Sequence, residues 1–319
     1  MSLSPPIGEV EHVCVAMEDL LAARELFAKK LRLPVVDYDE GGGECFAVRA
    51  GGTTLRIVDR EAPETALGRR GVNHIALRVG SLGAAAARLA DLGFRQAETS
   101  PPSSGGRNAV WLDPVQTSGI PIQLVEQSAP LKFPPSHVDG FIERVDHLGV
   151  ACHSQVEARS AFIDKMGFEV ECTQIDSEVL VPVETTSNDK YGATSHARAP
   201  IPAVGSGLMA LFVTVGDLDL EIMQPLGAAN VTVPLGSVPG TVGQDHGAIA
   251  RFLEKRGEGL LHICFKTPDI KRALESVSAA GIGLIDPVAR PGGRAGLIAF
   301  MDRRDTEGVL MHFVERTPL

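Results

Sequence analysis

The sequence predicts an α+β protein in which four βαβββ modules pair into two domains, each built on a half-open sheet. Three observations predict it. Four segments repeat one plan, a histidine stands at the third position of each segment's opening strand, and helix start and stop signals fall at matching places. The segments are "VEHVCVAMEDLLAARELFAKKLRLPV", "VNHIALRVGSLGAAAARLADLGF", "VDHLGVACHSQVEARSAFIDKMGFEV" and "LLHICFKTPDIKRALESVSAAGIGL".

Each segment opens with a β-branched or Leu-rich strand that carries His12, His74, His147 or His262. A turn follows, then a helix of about three turns, an ordinary length. Ser154 with Glu157 has capping-box spacing, and Thr267-Pro268 reads as an N-cap followed by Pro at the first helical position. Gly93, Gly167 and Gly281 stand where a helix closes in a left-handed residue. Further strand-like runs come next: "CFAVRA" and "TTLRIVD", "AVWLD" and "PIQLVEQ", "GLMALFVTV" and "LDLEIMQP", "GLIAFMD" and "GVLMHFVER". The second and fourth modules match most closely at their ends. Asp113 to Gln123 and Asp302 to His312 share a spacing of 10 residues, and Gly-Gly-Arg precedes both, at Gly105-Gly106-Arg107 and Gly292-Gly293-Arg294.

The modules pair as first with second and third with fourth. Between the pairs lies "SAPLKFPPSHVDGF", rich in Pro and without periodicity, which reads as a linker. The expected division is an N-terminal domain over 1–127, a linker over 128–140 and a C-terminal domain over 141–319. The third module carries a long polar insertion, "VPVETTSNDKYGATSHARAPIPAVGSG", read as irregular; ordered loops of that length are often lids or binding loops.

Composition narrows the function. With 319 residues, 44% hydrophobic and 22% charged, the chain can bury a core. A net charge of −10 and no Lys/Arg cluster argue against nucleic acid. No apolar run reaches the roughly 18 residues of a membrane helix, and the N-terminus lacks a signal-peptide pattern. Five cysteines without a C-x-x-C pair read as reduced, mostly buried apolar residues, so a cytoplasmic location is expected.

Tandem βαβββ units with an early strand histidine resemble the vicinal oxygen chelate superfamily, which includes glyoxalase I, extradiol and hydroxyphenylpyruvate dioxygenases, fosfomycin-resistance proteins and methylmalonyl-CoA epimerase. The resemblance covers essentially the whole chain. It implies one metal ion held by the first and last strands of paired modules. "DLDLEIMQPLG", "AIARFLEKRGEGLLHICFKTPDI" and "TEGVLMHFVER" make the C-terminal half most similar to methylmalonyl-CoA epimerase. Carried over residue by residue, the resemblance puts metal ligands at His147, Glu221 and His262. The family's last-strand carboxylate falls on His312, a departure that keeps a ligand and changes its charge and softness. The epimerase's Glu-rich segment bearing its base is not recognisable; the insertion stands there instead.

The chemistry of these residues agrees. Strand side chains alternate faces, so one polar residue per strand can project into a sheet's hollow. A buried lone carboxylate is costly, as is a cluster of buried imidazoles, and a divalent cation relieves both. Three His and one Glu suit Zn, Co, Ni, Mn or Fe. In the N-terminal half, His12, His74 and Gln123 recur, but Arg56 falls at the place of Glu221. A guanidinium cannot ligate a cation. That half therefore reads as a degenerate structural copy, with an anion pocket at Arg56 as the rival reading.

A cation facing two neighbouring substrate oxygens stabilises an enolate, and a base removes the adjacent proton. Candidate bases are Glu178 and Glu184, with Tyr191 as a hydrogen-bond donor; His246 is a further candidate for approach to substrate. The expected function is a metal-dependent isomerase or epimerase on a small molecule with vicinal oxygens, an acyl-CoA by resemblance. The alternatives are an Fe(II) dioxygenase, a glyoxalase-type lyase or a small-molecule-sequestering protein. A monomer or homodimer fits, since four modules in one chain can mimic a two-subunit dimer of shorter relatives.

Overall fold

The computed structural model describes residues 7–37, 45–62, 65, 70–98, 108–127, 129–176, 182–188, 194–200, 207–226 and 247–316. The N-terminal part contains β1 (Glu9–Met17), α1 (Leu20–Glu25), β2 (Val35–Asp37), β3 (Cys45–Ala50), β4 (Thr53–Asp59), β5 (Gly71–Val79), α2 (Leu82–Asp91), β6 (Ala109–Trp111) and β7 (Ile122–Glu126). The C-terminal part contains β8 (Arg144–Ala151), α3 (Gln155–Arg159), β9 (Glu169–Asp176), β10 (Pro182–Asn188), β11 (Thr194–Pro200), β12 (Gly207–Val215) and β13 (Leu218–Leu226). After these come α4 (Ala248–Arg256), β14 (Gly259–Lys266), α5 (Ile270–Ala279), β15 (Arg290–Pro291), β16 (Leu297–Phe300) and β17 (Leu310–Glu315).

Two mixed sheets result, ordered β2-β3-β4-β1-β5-β7-β6 and β15-β16-β17-β14-β8-β13-β12-β9. Each is two modules joined through their first strands. β1 pairs antiparallel with β5, and β8 with β14. The closing strand of each module returns parallel to its opening strand: β4 to β1, β7 to β5, β13 to β8, β17 to β14. Residues 129–140, between the sheets, form no helix or strand.

Local chemistry explains the elements. Asp19, Ser81, Ser154 and Asp269 cap their helices with side-chain oxygens, and α1 and α3 each widen into a π-helical turn, at Leu26–Lys30 and Ser160–Lys165. The N-cap half of the box expected at Ser154 is present, with Glu157 N–H donating to Ser154 Oγ. The cap expected at Thr267 lies two residues later: Asp269 accepts from Arg272 N–H at 2.9 Å, and Thr267 Oγ1 instead accepts from Asp269 N–H. Gly93, Gly167 and Gly281 all have positive φ, as a left-handed close requires. Glu126 and Glu315, at the ends of β7 and β17, accept from the first N–H groups of α2 and α5 and tie each helix to its module's last strand.

Side chains from one face of each sheet and from the helices form a continuous apolar core that includes Val13, Leu55, Ile75, Leu148, Ile222, Ile263 and Phe313. Two differences from expectation stand out. The insertion read as irregular contains an antiparallel ribbon, β10 with β11, consistent with its β-branched "VPVETTSN" run. In the second and fourth modules one strand shrinks to a single bridge, Gln96 with Leu112 and Leu284 with Met301. Among the described residues no helix is long and apolar enough to cross a membrane.

Candidate metal centre

The ladder of the C-terminal sheet brings four ligand-type side chains to the face opposite α3 and α5. His147 stands opposite Cys264, and Gly149 opposite His262. Gly149 is also opposite Glu221 on β13, and Cys264 opposite His312 on β17. The centre of this arrangement is a glycine for a steric reason. A Cβ at Gly149 would lie 2.1 Å from Cε1 and 2.5 Å from Nε2 of His262, so only glycine lets that ring lean across β8.

A bulge aims the second element of the site. Cys264 pairs with His147 but Phe265 pairs with Val145, so Asp146 is the extra residue. Its carboxylate is fully buried and accepts from His147 Nδ1–H at 2.8 Å, from Arg144 Nη2 at 3.0 Å, from Arg294 Nη2 at 2.8 Å and from Arg316 Nε at 3.0 Å. Because a carboxylate only accepts, His147 carries a proton on Nδ1 and turns Nε2 toward the site. The same step in register precedes His262, where Leu261 is the bulged residue, and His12 and His74, where Glu11 and Asn73 are. The bulge therefore belongs to the repeat.

Distances decide what the cluster suits. Nε2 of His147 and Nε2 of His262 lie 3.2 and 3.3 Å from the same oxygen, Oε2 of Glu221. Neither nitrogen makes a hydrogen bond there, and both ring nitrogens of His312 are buried without a hydrogen-bond partner. Donor atoms about 2.0–2.1 Å from one ion lie roughly 3.0–3.4 Å from each other, the spacing seen here. His147, Glu221 and His262 form one ligand group, with donor atoms within 4.8 Å; His147, Cys264 and His312 form a second. The His262 and His312 rings meet at 4.7 Å, and His312 stacks flat on Phe300 at 4.3 Å. The residues present thus fit a divalent cation, with nitrogen donors dominant and one carboxylate.

Electrostatics agree. Burial pushes the imidazoles of His262 and His312 down, well down for His312, so both stay neutral and keep lone pairs for a cation; the charges of His147 and Arg303 add to the lowering at His262, against Glu221. Burial alone would lower His147, but charge at Cys264 and Glu221 and the hydrogen bond to Asp146 raise it well above 6.5. Glu221 is the partner that counts at neutral pH, because burial pushes the Cys264 thiol up and keeps it protonated. Burial likewise pushes Glu221 up, and His147 outweighs it and holds the carboxyl well below its usual range. A cation bound there would displace any proton from His147 Nε2.

Of the residues singled out in the sequence, His147, Glu221, His262 and His312 come together. Glu178, Tyr191 and His246 lie outside the described residues. Glu184 lies on β10, opposite Arg198. Gly105, Gly106 and Arg107 also lie outside the described residues, whereas Gly292 to Arg294 fold over the site. Arg294 has a left-handed backbone (φ 56°), sits 4.0 Å over the Phe212 ring, donates to Asp219 at 2.6 Å, and receives Gln174 Oε1 on its backbone N–H. Sequence reading did not bring Asp146, Gly149, Cys264 or Arg316 to the site, and it noted Arg294 only as part of the repeated Gly-Gly-Arg. Of the first four, only Asp146 had a local signal, the polar residue before the strand histidine.

The N-terminal sheet repeats the ladder with other side chains. His12 stands opposite Ala76 and Cys14 opposite His74; Arg56 is opposite Cys14, and Gln123 opposite Ala76. Burial, then the Arg56 charge, push His74 down to about 3. Its Nδ1–H donates to Asn73 Oδ1 at 3.1 Å, and its ring meets Trp111 edge to face at 4.8 Å.

A model of the Glyoxalase/Bleomycin resistance protein/Dioxygenase superfamily matches residues 146–300, and a second model of the same superfamily matches residues 9–118. The chain belongs to this superfamily. The "Uncharacterized protein YqjC" of Bacillus subtilis is 26% identical over 174 residues, which span 54% of this chain and 93% of that protein. The mitochondrial methylmalonyl-CoA epimerase of Dictyostelium discoideum is 25% identical over 118 residues, 37% of this chain and 61% of the epimerase. A mutant 4-hydroxymandelate synthase from Streptomyces coelicolor matches 99% of this chain and 94% of its own, with a TM-score of 0.59 and 17% identity, a likeness of fold alone.

Proposed function

We propose that the chain is a metal-dependent isomerase or epimerase whose working half is 141–319, joined through 128–140 to a structural half over 1–127. The observation that carries this reading is the approach of two imidazole nitrogens to one Glu221 oxygen, at 3.2 and 3.3 Å, without hydrogen bonds. His147, Glu221, His262 and His312 would hold one divalent ion, of Zn, Co, Ni, Mn or Fe. Bound there, the ion would supply Lewis-acid stabilisation of charge developing on a substrate oxygen. The residues do the rest. Asp146 fixes the tautomer and orientation of His147. Phe212, Phe300 and Met223 exclude water from the hollow. A carboxylate in or just before the insertion, Glu184 or Glu178, takes the proton from the carbon beside the carbonyl, and the proton returns on the opposite face, with Tyr191 donating a hydrogen bond. No oxidant is consumed, and the substrate is a small molecule with vicinal oxygens, for which an acyl-CoA is the leading class.

A second reading, an Fe(II) dioxygenase, is favoured by one observation: one of the two ligand groups is two histidines and one carboxylate. Deuterium exchange separates the two. In deuterated water without oxygen, the isomerase washes deuterium into the carbon beside the carbonyl of a methylmalonyl-type thioester, and Glu221→Ala abolishes it. Product formation that requires oxygen and brings no solvent deuterium refutes the isomerase.

A further inference from the structure

Strand pairing sets the polar groups of the C-terminal hollow in two neighbouring rows on one face of the sheet. One row is Glu221, Gly149 and His262; the next is His147, Cys264 and His312. The second row is a ligand set in its own right. The donor atoms of His147, Cys264 and His312 lie within 4.8 Å of one another, and all three residues are buried, Cys264 fully so. Both ring nitrogens of His312 and Nε2 of His147 are buried without a hydrogen-bond partner. A cation with nitrogen about 2.0–2.1 Å and sulfur about 2.3 Å away sets its donors roughly 3.3–3.5 Å apart, so closing this triangle shortens each separation by about 1.5 Å at most.

The rows differ in softness. Glu221 and His262 offer a carboxylate oxygen and a nitrogen, whereas Cys264 offers sulfur, and thiolate ligands select zinc and Cu(I) over manganese and magnesium. The fold does not require this second row. In the N-terminal sheet the places of Cys264 and His312 are taken by Ala76 and Gln123, which leave no such set around His12.

His147 ties the two rows together. Its Nδ1–H is committed to Asp146 at 2.8 Å, which leaves Nε2 as its single ligand atom, and Nε2 already faces Oε2 of Glu221 at 3.2 Å. His312 stands between the rows, with its ring 4.7 Å from that of His262 and 5.2 Å from that of His147. One lone pair serves one ion, so a cation in either row excludes a cation from the other.

We propose that His147, Cys264 and His312 form a second, thiophilic cation position that competes with the first for His147 Nε2. As the sulfur–metal bond forms, the thiol proton leaves to solvent. This position does not depend on the reaction assigned above, and a failed deuterium-exchange test would leave the outcomes below unmoved.

Cd(II), thiophilic and redox-silent, is the probe. Titrated into the metal-free full chain without oxygen, it should raise a sulfur-to-metal charge-transfer band in the ultraviolet. The band should be lost in Cys264→Ser and in His312→Ala, and kept in Glu221→Ala and in His262→Ala. Cys264→Ser retains Cys14, Cys45, Cys152 and Cys172, so the difference from wild type reports Cys264 alone. It should also weaken Cd(II) binding by at least about 100-fold, since a lost ligand costs more than a lost outer partner. Anomalous scattering from cadmium-loaded crystals should place one ion between His147, Cys264 and His312. A band unchanged in Cys264→Ser would overturn the proposal. Loss of the band in Glu221→Ala or His262→Ala would overturn it too, by making the sulfur a ligand of the one ion already described. Two cadmium ions bound around His147 in one chain would refute the competition.

Discussion

At the centre of the N-terminal ladder Cys14 stands between His74 and Arg56; at the centre of the C-terminal ladder Gly149 stands between His262 and Glu221. The backbones at these places are the same, down to the bulge before each histidine. The difference lies in four side chains. Glycine opens room for a ring to cross the strand, glutamate supplies the anion, and Cys264 and His312 replace Ala76 and Gln123. In the N-terminal half Arg56 puts a fixed positive charge at the place of the carboxylate. The comparison teaches that the fold supplies a scaffold for converging groups twice, and that side-chain charge and volume at the strand crossing decide which copy suits a cation.

Moving N-terminal residues into the C-terminal sheet should break the centre in a graded way. Glu221→Arg should abolish metal binding, because it removes the anionic ligand and adds a repelling charge. Gly149→Cys should weaken it by more than about 100-fold, beyond the loss expected of an outer-shell change, since the new Cβ occupies the place of the His262 ring. Competition with a fluorescent chelator measures both, and wild-type affinity in Gly149→Cys would refute the steric account.

Asp146→Asn sharpens the comparison at the bulge. It keeps the shape but no longer commits the His147 Nδ1 proton, and it leaves Arg144, Arg294 and Arg316 without their shared anion. Metal affinity should fall about 10–100-fold. An unchanged affinity would show that the buried carboxylate serves only the arginines.

The smallest effect concerns His74. Its folded pKa is about 3 against 6.5 for the ordinary imidazole, so below pH 6.5 the unfolded chain takes up a proton that the folded chain refuses. The stability linked to His74 is present above pH 6.5 and is lost as pH falls toward 3, with a slope of at most about 1.4 kcal/mol per pH unit. His74→Gln should flatten the pH dependence of denaturant midpoints between pH 6 and 4. The same slope in both proteins would contradict the assignment.

Much of this was legible in the sequence because repetition and periodicity are local. The four strand histidines, the helix ends at Gly93, Gly167 and Gly281, and the Ser154 cap needed only spacing. The ligand group was legible through resemblance, with His312 at the departing position. What escaped depends on neighbours distant in sequence. Gly149 matters because of a ring on β14, more than a hundred residues away, and Asp146 gathers arginines from β8, from the turn before β16 and from beyond β17. Cys264 read as a small apolar residue until strand pairing set it against His147 and His312. The cap at Asp269 escaped because Thr267-Pro268 offers an equally good local pattern. The ribbon of β10 and β11 escaped because its length and Gly/Pro content resemble a loop.

The account stands most directly on how many ions the chain holds and where. Elemental analysis of the purified protein, joined to anomalous scattering from its crystals, should find one transition-metal ion per chain, between His147, Glu221 and His262. The ion should persist in a His12→Ala, His74→Ala double variant and vanish in a His147→Ala, His262→Ala one. An ordered ion beside His12 and His74, or full metal content in the second variant, would contradict it.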